Sequence, residues 1–203
     1  ISYLIPLLRY HSRWSELSSE DLEYMFKKDP VTISGYLMRA DTKPMTKLPN
    51  VPVLEDYTIG ERCWYYLDKM RELCQTHGTE LVLIKSPSLW PYWYDEWDEQ
   101  ISAYAEKYGL DYLNLLPYAD DIGLDMQTDT YDGGLHLNVY GAEKLSKYFG
   151  RILADKYDVP DRRDNAEIAE CWAQKCEDYY ALLAAEKAEL EQYGYLKSWT
   201  WGD

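Results

Sequence analysis

The chain has 203 residues, 36 acidic against 21 basic side chains and a net charge of −15. That is long enough for one full core, or one core plus an appendage. A surface so acidic repels phosphate backbones and anionic headgroups, which argues against nucleic-acid binding, and no apolar run is long enough to span a bilayer.

The first residue is Ile1, and "ISYLIPLLRYHSRW" is too short and too interrupted for a signal peptide. The chain therefore reads as a piece of something longer. Residues 18–28 predict a short helix, with Ser18 and Asp21 resembling a capping box and Leu22, Met25 and Phe26 on one face. Pro30, Pro44, Pro49 and Pro52 mark 29–57 as a long excursion. Thr58 with Glu61 suggests a second capping box. It opens a helix to about His77, with Trp64, Leu67, Met70, Leu73 and Cys74 inward and Gly78 as its stop. "ELVLIKSP" is a continuous apolar run with branched residues, as expected of a strand covered on both faces. A helix over roughly 93–108 ends at Gly109, and "DYLNLL" reads as a second strand. Strand, helix and strand with short links form a βαβ unit, so the two strands should be parallel.

Residues 117–137 read as loop, and a helix follows over about 139–157, with Leu145, Tyr148, Phe149, Ile152 and Leu153 as its core face. "DVPDRRD" is a linker. The last helix, about 165–192, places Ile168, Trp172, Cys176, Tyr179, Leu183 and Leu190 on one stripe, and its aromatic end "YGYLKSWTWGD" should pack back on the body. Two parallel strands do not make a sheet by themselves, since such sheets are larger and buried. Partner strands are expected upstream of Ile1 or in another chain.

Cys63 and Cys74 fall in one predicted helix about 16 Å apart, too far for a disulfide. Cys171 and Cys176 share another helix and are poorly placed for each other. Free thiols are expected, with a bridge between the two helices as the alternative. No metal spacing such as C-x-x-C occurs. Of three histidines, His77 sits at a helix end, where a cation suits the dipole. His11 has no acid in sequence reach. His136 follows the last strand and its loop and opens the next helix. In an open α/β sheet that is the edge where ligands bind. Asp132 is near enough to orient one of its ring nitrogens, and Asn138 to cap the helix. The plain reading is a turn in which both residues only cap.

"DGGLHLNVYGAEKLS", with "LVLIKSPS" upstream and "DVPDRR" after it, resembles the C-terminal half of SGNH/GDSL-type hydrolases. The branch it is most similar to includes D-alanyl transfer proteins and alginate O-acetyltransferases. The resemblance covers about residues 80–163. It implies an α/β, flavodoxin-like three-layer parallel sheet whose N-terminal strands are missing from this chain. Residues 1–163 would be the C-terminal portion of that domain and 164–203 a helical extension packing on it. It also implies a Ser-His-Asp triad with His136 as general base and Asp132 as its orienting acid. The spacing here is D-x-x-x-H where the family has D-x-x-H, which makes Asp129 the fallback acid. The family's serine turn and its oxyanion glycine and asparagine blocks do not occur, so the nucleophile is expected before Ile1.

Ser86 would stand on the same sheet edge, but the next residue is Pro87, which has no N–H to serve as oxyanion donor. Lys85 and Ser86 instead read as pocket-lining residues, together with Asn138, or the first two simply end the strand. In "SLWPYWYDEW", Trp90 and Trp93 are candidates to stack on sugar rings; the competing reading is that such aromatics anchor the following helix. The function implied by the resemblance is an O-acyl esterase or acyltransferase acting on an acylated carbohydrate or cell-envelope polymer. It would need no metal or organic cofactor and would depend on the upstream part of the same protein. It would be extracytoplasmic or membrane-anchored through the missing N-terminal segment. The alternative is a non-catalytic carbohydrate-binding or scaffold domain with a degenerate form of the fold.

Overall fold

A computed structural model describes residues 35–47, 50–157 and 159–197. The chain falls into two compact units, Ile1–Leu37 and Met38–Asp203. Only 35–37 of the first are described, so His11 and the helix expected over 18–28 lie outside the described residues. The second unit is mixed α/β.

Helix α1, Glu61–Thr76, begins at Gly60 with no side-chain cap. The expected Thr58–Glu61 capping box does not form, because Thr58 lies two residues ahead of the cap position. Its N–H is held by Asp56 Oδ1 at 2.8 Å instead. Helix α2, Asp95–Tyr108, carries Asp95, Glu96 and Asp98 in its first turn, complementing the helix dipole, and Gly109 ends it at φ +64°. The two helices meet through Trp64, stacked on Tyr104 with centroids 5.3 Å apart. Asp68 accepts from the Tyr104 hydroxyl at 2.8 Å. Met70 and Leu73, expected inward, lie on the other side of α1 and are exposed.

Strands β1, Val82–Lys85, and β2, Asp111–Asn114, flank α2 and pair in parallel, Val82 opposite Asp111 and Lys85 opposite Asn114. This is the expected βαβ unit. The expectation that both faces of β1 are covered is corrected: Ile84 is 46% exposed. Among the described residues β2 is the only strand paired with β1.

The region read as loop also needs correction. A 3₁₀ turn at Leu116–Tyr118 runs into a short helix α3, Ala119–Ile122. Pro117 presets the backbone angle at the turn, and burial of Ile122 holds the helix down. Helix α4 spans Val139–Lys156 and helix α5 Ala166–Tyr193, each capped by an asparagine, Asn138 and Asn165. The boundary expected at 163/164 falls between α4 and α5.

The α5 stripe is inward only in part. Leu183 and Glu186 are buried, and the Tyr179 hydroxyl bonds Glu143 on α4 at 2.7 Å, but Trp172 and Cys176 are exposed. Leu196 is buried just past the helix, and 198–203 lie outside the described residues. All four cysteines are free thiols.

The most buried apolar side chains are Met38 and Val139. Full burial of such side chains contributes about 1.5–3 kcal/mol each. Met38 opens an extended strap, 38–45, inside the stretch read only as an excursion. Val139 N–H donates to the Arg39 carbonyl at 2.8 Å, so the strap lies against the start of α4.

Candidate active site

The segment 129–138, the second part of the link from α3 to α4, carries both site residues. Thr130 and Leu137 form an antiparallel bridge, and Asn138 N–H donates to the Asp129 carbonyl at 2.9 Å. Between these ends the chain turns through Gly133 and Gly134, at φ +80° and +100°. Only glycine adopts two such angles in succession at little cost. The turn folds Asp132 back over the chain that follows. Its Oδ1 accepts from the N–H groups of Leu135 at 3.2 Å and His136 at 2.8 Å. Its Oδ2 lies 2.6 Å from His136 Nδ1. The three-residue gap between acid and histidine is thus closed by the glycine pair, and Asp132 grips both the backbone and the ring of His136.

A carboxylate accepts, so the 2.6 Å contact suits the ring tautomer that carries its proton on Nδ1. In the neutral ring this leaves the lone pair on Nε2, and no described residue hydrogen-bonds that atom. The imidazole is 59% exposed. One of its neighbours is Tyr131, whose ring stacks on it at 5.7 Å between centroids and 8° between planes. The Arg39 guanidinium lies 4.5 Å from the Tyr131 ring centre and is itself held by Asp41 through two bonds of 2.8 and 2.6 Å. Burial pushes the Tyr131 hydroxyl up from the ordinary tyrosine range.

Asp129, the fallback acid, is engaged elsewhere. It is 2% exposed, and its Oδ2 accepts from Lys144 Nζ at 2.6 Å and from the Asp125 N–H at 2.8 Å. Asn138, expected to line the pocket, is completely buried. Its carbonyl oxygen caps α4 through Tyr140 and Gly141. Its NH₂ group donates to the Thr128 carbonyl at 2.8 Å and to the Asp41 carbonyl and Thr42 hydroxyl at 3.2 Å each. With both ends occupied it is a structural cap, which corrects its assignment to substrate binding.

Two other segments hold the turn. Lys43 on the strap donates to the Thr130 carbonyl at 2.9 Å and accepts from Gly133 at 3.0 Å. Leu89 N–H donates to the Gly134 carbonyl at 2.7 Å, which brings the loop after β1 against the histidine turn. In that loop Lys85 Nζ donates to the Ser86 carbonyl at 2.6 Å and the Ser88 hydroxyl at 3.0 Å, and lies 5.6 Å from the Trp93 ring centre. Burial holds its ammonium below the usual lysine range. Ser86 is exposed, and no hydrogen bond joins it to His136.

Trp90 is exposed, as a stacking surface requires. Trp93 differs. Its indole N–H donates to Asp98 Oδ1 at 3.1 Å, an oxygen that also accepts from Tyr112 and Asn114 on β2. That anchors the loop to the sheet through Trp93, the competing role for these aromatics.

Sequence reasoning missed Tyr131, Arg39 and Asp41. Tyr131 stands opposite His136 only once the antiparallel turn exists, and Arg39 reaches it from a distant strap. No short-range signal marked either. Among the described residues no cluster of His, Cys, Asp or Glu is placed to hold a metal ion. Comparison of the chain with protein-family models, curated proteins and solved structures finds no match.

Proposed function

We propose that this chain supplies the base end of a Ser-His-Asp triad in an SGNH-like O-acyl esterase or acyltransferase. The observation that carries the proposal is the 2.6 Å contact between Asp132 and His136 Nδ1, with Nε2 left open. In this reading the parallel β1–α2–β2 unit belongs to a flavodoxin-like sheet. The turn bearing His136 is tied to the loop leaving the C-terminal end of β1, where ligands bind in such sheets. The nucleophile comes from a segment N-terminal to Ile1. Exposed Ile84 on β1 suits a further layer packed on that face of the sheet.

In the reaction the serine oxygen bonds to the acyl carbon while its proton passes to Nε2. Asp132 stabilises the imidazolium that forms. The imidazolium returns the proton to the departing oxygen. Water or a sugar hydroxyl then gives its proton to Nε2 and takes the acyl group, while the imidazolium returns that proton to the departing serine oxygen. The substrate is an acylated carbohydrate or cell-envelope polymer, for which exposed Trp90 and Tyr92 offer faces for stacking. Action in the envelope would place the protein outside the cytoplasm or on the membrane. Among the described residues no helix is long and apolar enough to cross a membrane.

The test compares this chain with a longer one that includes its upstream sequence. The 203-residue chain should not hydrolyse an aryl acetate. The longer one should, through a serine on a Gly-x-Ser turn, and His136→Ala should remove the activity. Turnover that survives His136→Ala within tenfold overturns the proposal. An upstream turn without serine points instead to a binding or scaffold domain.

A further inference from the structure

We infer that Tyr131 is the positioning residue of His136, fixing the plane of the imidazole while Asp132 fixes its Nδ1 end. The functional weight of this rests on His136 being the base. An imidazole that is 59% exposed is not held by packing on all sides. The torsion that turns a histidine ring is intrinsically broad and roughly two-fold. The bond to Asp132 restrains one edge of the ring, yet the ring can still rock about the Nδ1–Oδ2 line. A nearly parallel neighbour removes that freedom, and Tyr131 lies 8° from parallel.

The placement follows from the backbone. Thr130 and Leu137 are bridged, so the next pair inward is Tyr131 and His136, whose side chains project on one side of the turn. Tyr131 is in turn held by more than its own backbone. The Arg39 guanidinium lies against its ring and is fixed by the two bonds to Asp41, while the Arg39 carbonyl is bonded to Val139 at the start of α4. A backbone bond, a guanidinium and a tyrosine ring thus link the helix start to the imidazole. No polar contact through the tyrosine hydroxyl is needed, which predicts that phenylalanine will serve as well.

The experiment measures ¹³C relaxation order parameters of the His136 ring C–H bonds in the 203-residue chain, together with backbone amide order over 130–138. Three histidines make the assignment simple. The ring should be rigid in the parent and in Tyr131→Phe, at about 0.8, and fall below about 0.6 in Tyr131→Leu with the turn backbone unchanged. The inference is overturned if the ring stays rigid in Tyr131→Leu, or loosens only together with the backbone. It is equally overturned if Tyr131→Phe loosens the ring. In the longer, active protein Tyr131→Leu should lower kcat by up to about 100-fold and leave KM in place. Ring order that depends on Tyr131 beside activity that survives His136→Ala would sink the esterase reading alone.

Discussion

Asp129 and Lys144 form a 2.6 Å ion pair in which the carboxylate is buried and the ammonium is 40% exposed. Three residues on, Asp132 faces His136 instead. Two acids on one short turn thus hold different partners, and their substitutions should separate. Asp129→Asn weakens the pair with Lys144, and Lys144 can turn to solvent, so the loss is closer to a missing charged hydrogen bond than to a stranded buried charge. A decrease of about 1–3 kcal/mol in urea unfolding is expected. Asp132→Asn keeps an oxygen for the Leu135 and His136 N–H groups and loses only a solvent-exposed charged contact, so it should cost about 1 kcal/mol or less in unfolding. In the longer protein it should lose roughly 10⁴-fold in kcat, because an amide does not stabilise an imidazolium. If Asp129→Asn proves the inactive, stable variant, the acid has been misassigned.

Asn138→Ala should be among the most damaging single changes at the turn. It removes the cap of α4 and leaves the carbonyls of Asp41 and Thr128 without their shared donor. Cap loss and unsatisfied groups together predict about 2–4 kcal/mol. Asn138→Asp keeps the cap but offers no donor to those carbonyls, so it should restore only part of the loss. Full recovery in the aspartate variant would show that the cap alone matters.

Gly141→Ala should be worse than its place in a helix suggests. A Cβ there would sit 2.5 Å from the Asp129 carbonyl oxygen, and that neighbour is backbone with little room to move. In an ordinary helix interior alanine is the better residue by about 1 kcal/mol. Here the overlap should reverse the sign and cost about 3 kcal/mol or more. Thermal unfolding of Gly141→Ala beside Gly150→Ala, where a Cβ meets open space, checks the contrast.

A pH-dependent contribution is expected where β2 meets the end of α4. Asp111 accepts from Lys156 Nζ at 2.5 Å and the Tyr157 hydroxyl at 2.6 Å, and these bonds hold its carboxyl below the usual aspartate range. A pKa depressed by folding gives stability that is present above the unfolded value of about 3.9 and lost as pH falls through the lower folded value. The site is partly exposed, so the contribution is at most about 1 kcal/mol. Asp111→Asn should therefore be less stable than the parent at neutral pH and converge with it in strong acid. A gap that persists in acid would trace to packing rather than charge.

The βαβ unit was legible because its signals are local. An apolar run rich in branched residues, an acidic helix start and a glycine stop each act within a few residues. The pairing of Asp132 with His136 was legible for the same reason, being closed by a turn of five residues. Met70 and Leu73 were misread because apolar spacing names a face without saying what covers it. The capping box at Thr58 failed because the motif fixes a spacing and leaves the first helical residue open by two positions. Asn138 was read correctly as a cap and wrongly as a ligand contact. The reason is its NH₂ group, which meets carbonyls at Asp41 and Thr128 that periodicity does not connect to it. The strap was illegible altogether. Its bonds join residues as far as 146 positions apart, and its prolines advertised only irregularity.

The distant strap bears on the order of assembly during synthesis. Ala40 lies in it, buried, and its N–H donates to Glu186 Oε2 at 2.7 Å, a partner 146 residues later. The strap leaves the ribosome before the histidine turn, and the glutamate follows both. Until α5 arrives, the segment that braces the turn keeps an unmet donor in what will become the interior. A nascent chain stopped between α4 and α5 would hold every group of the Asp132–His136 pair and still lack the contact that seats their support. Helix α5, remote from the imidazole in sequence, thereby supplies the acceptor that completes the strap beside the histidine turn.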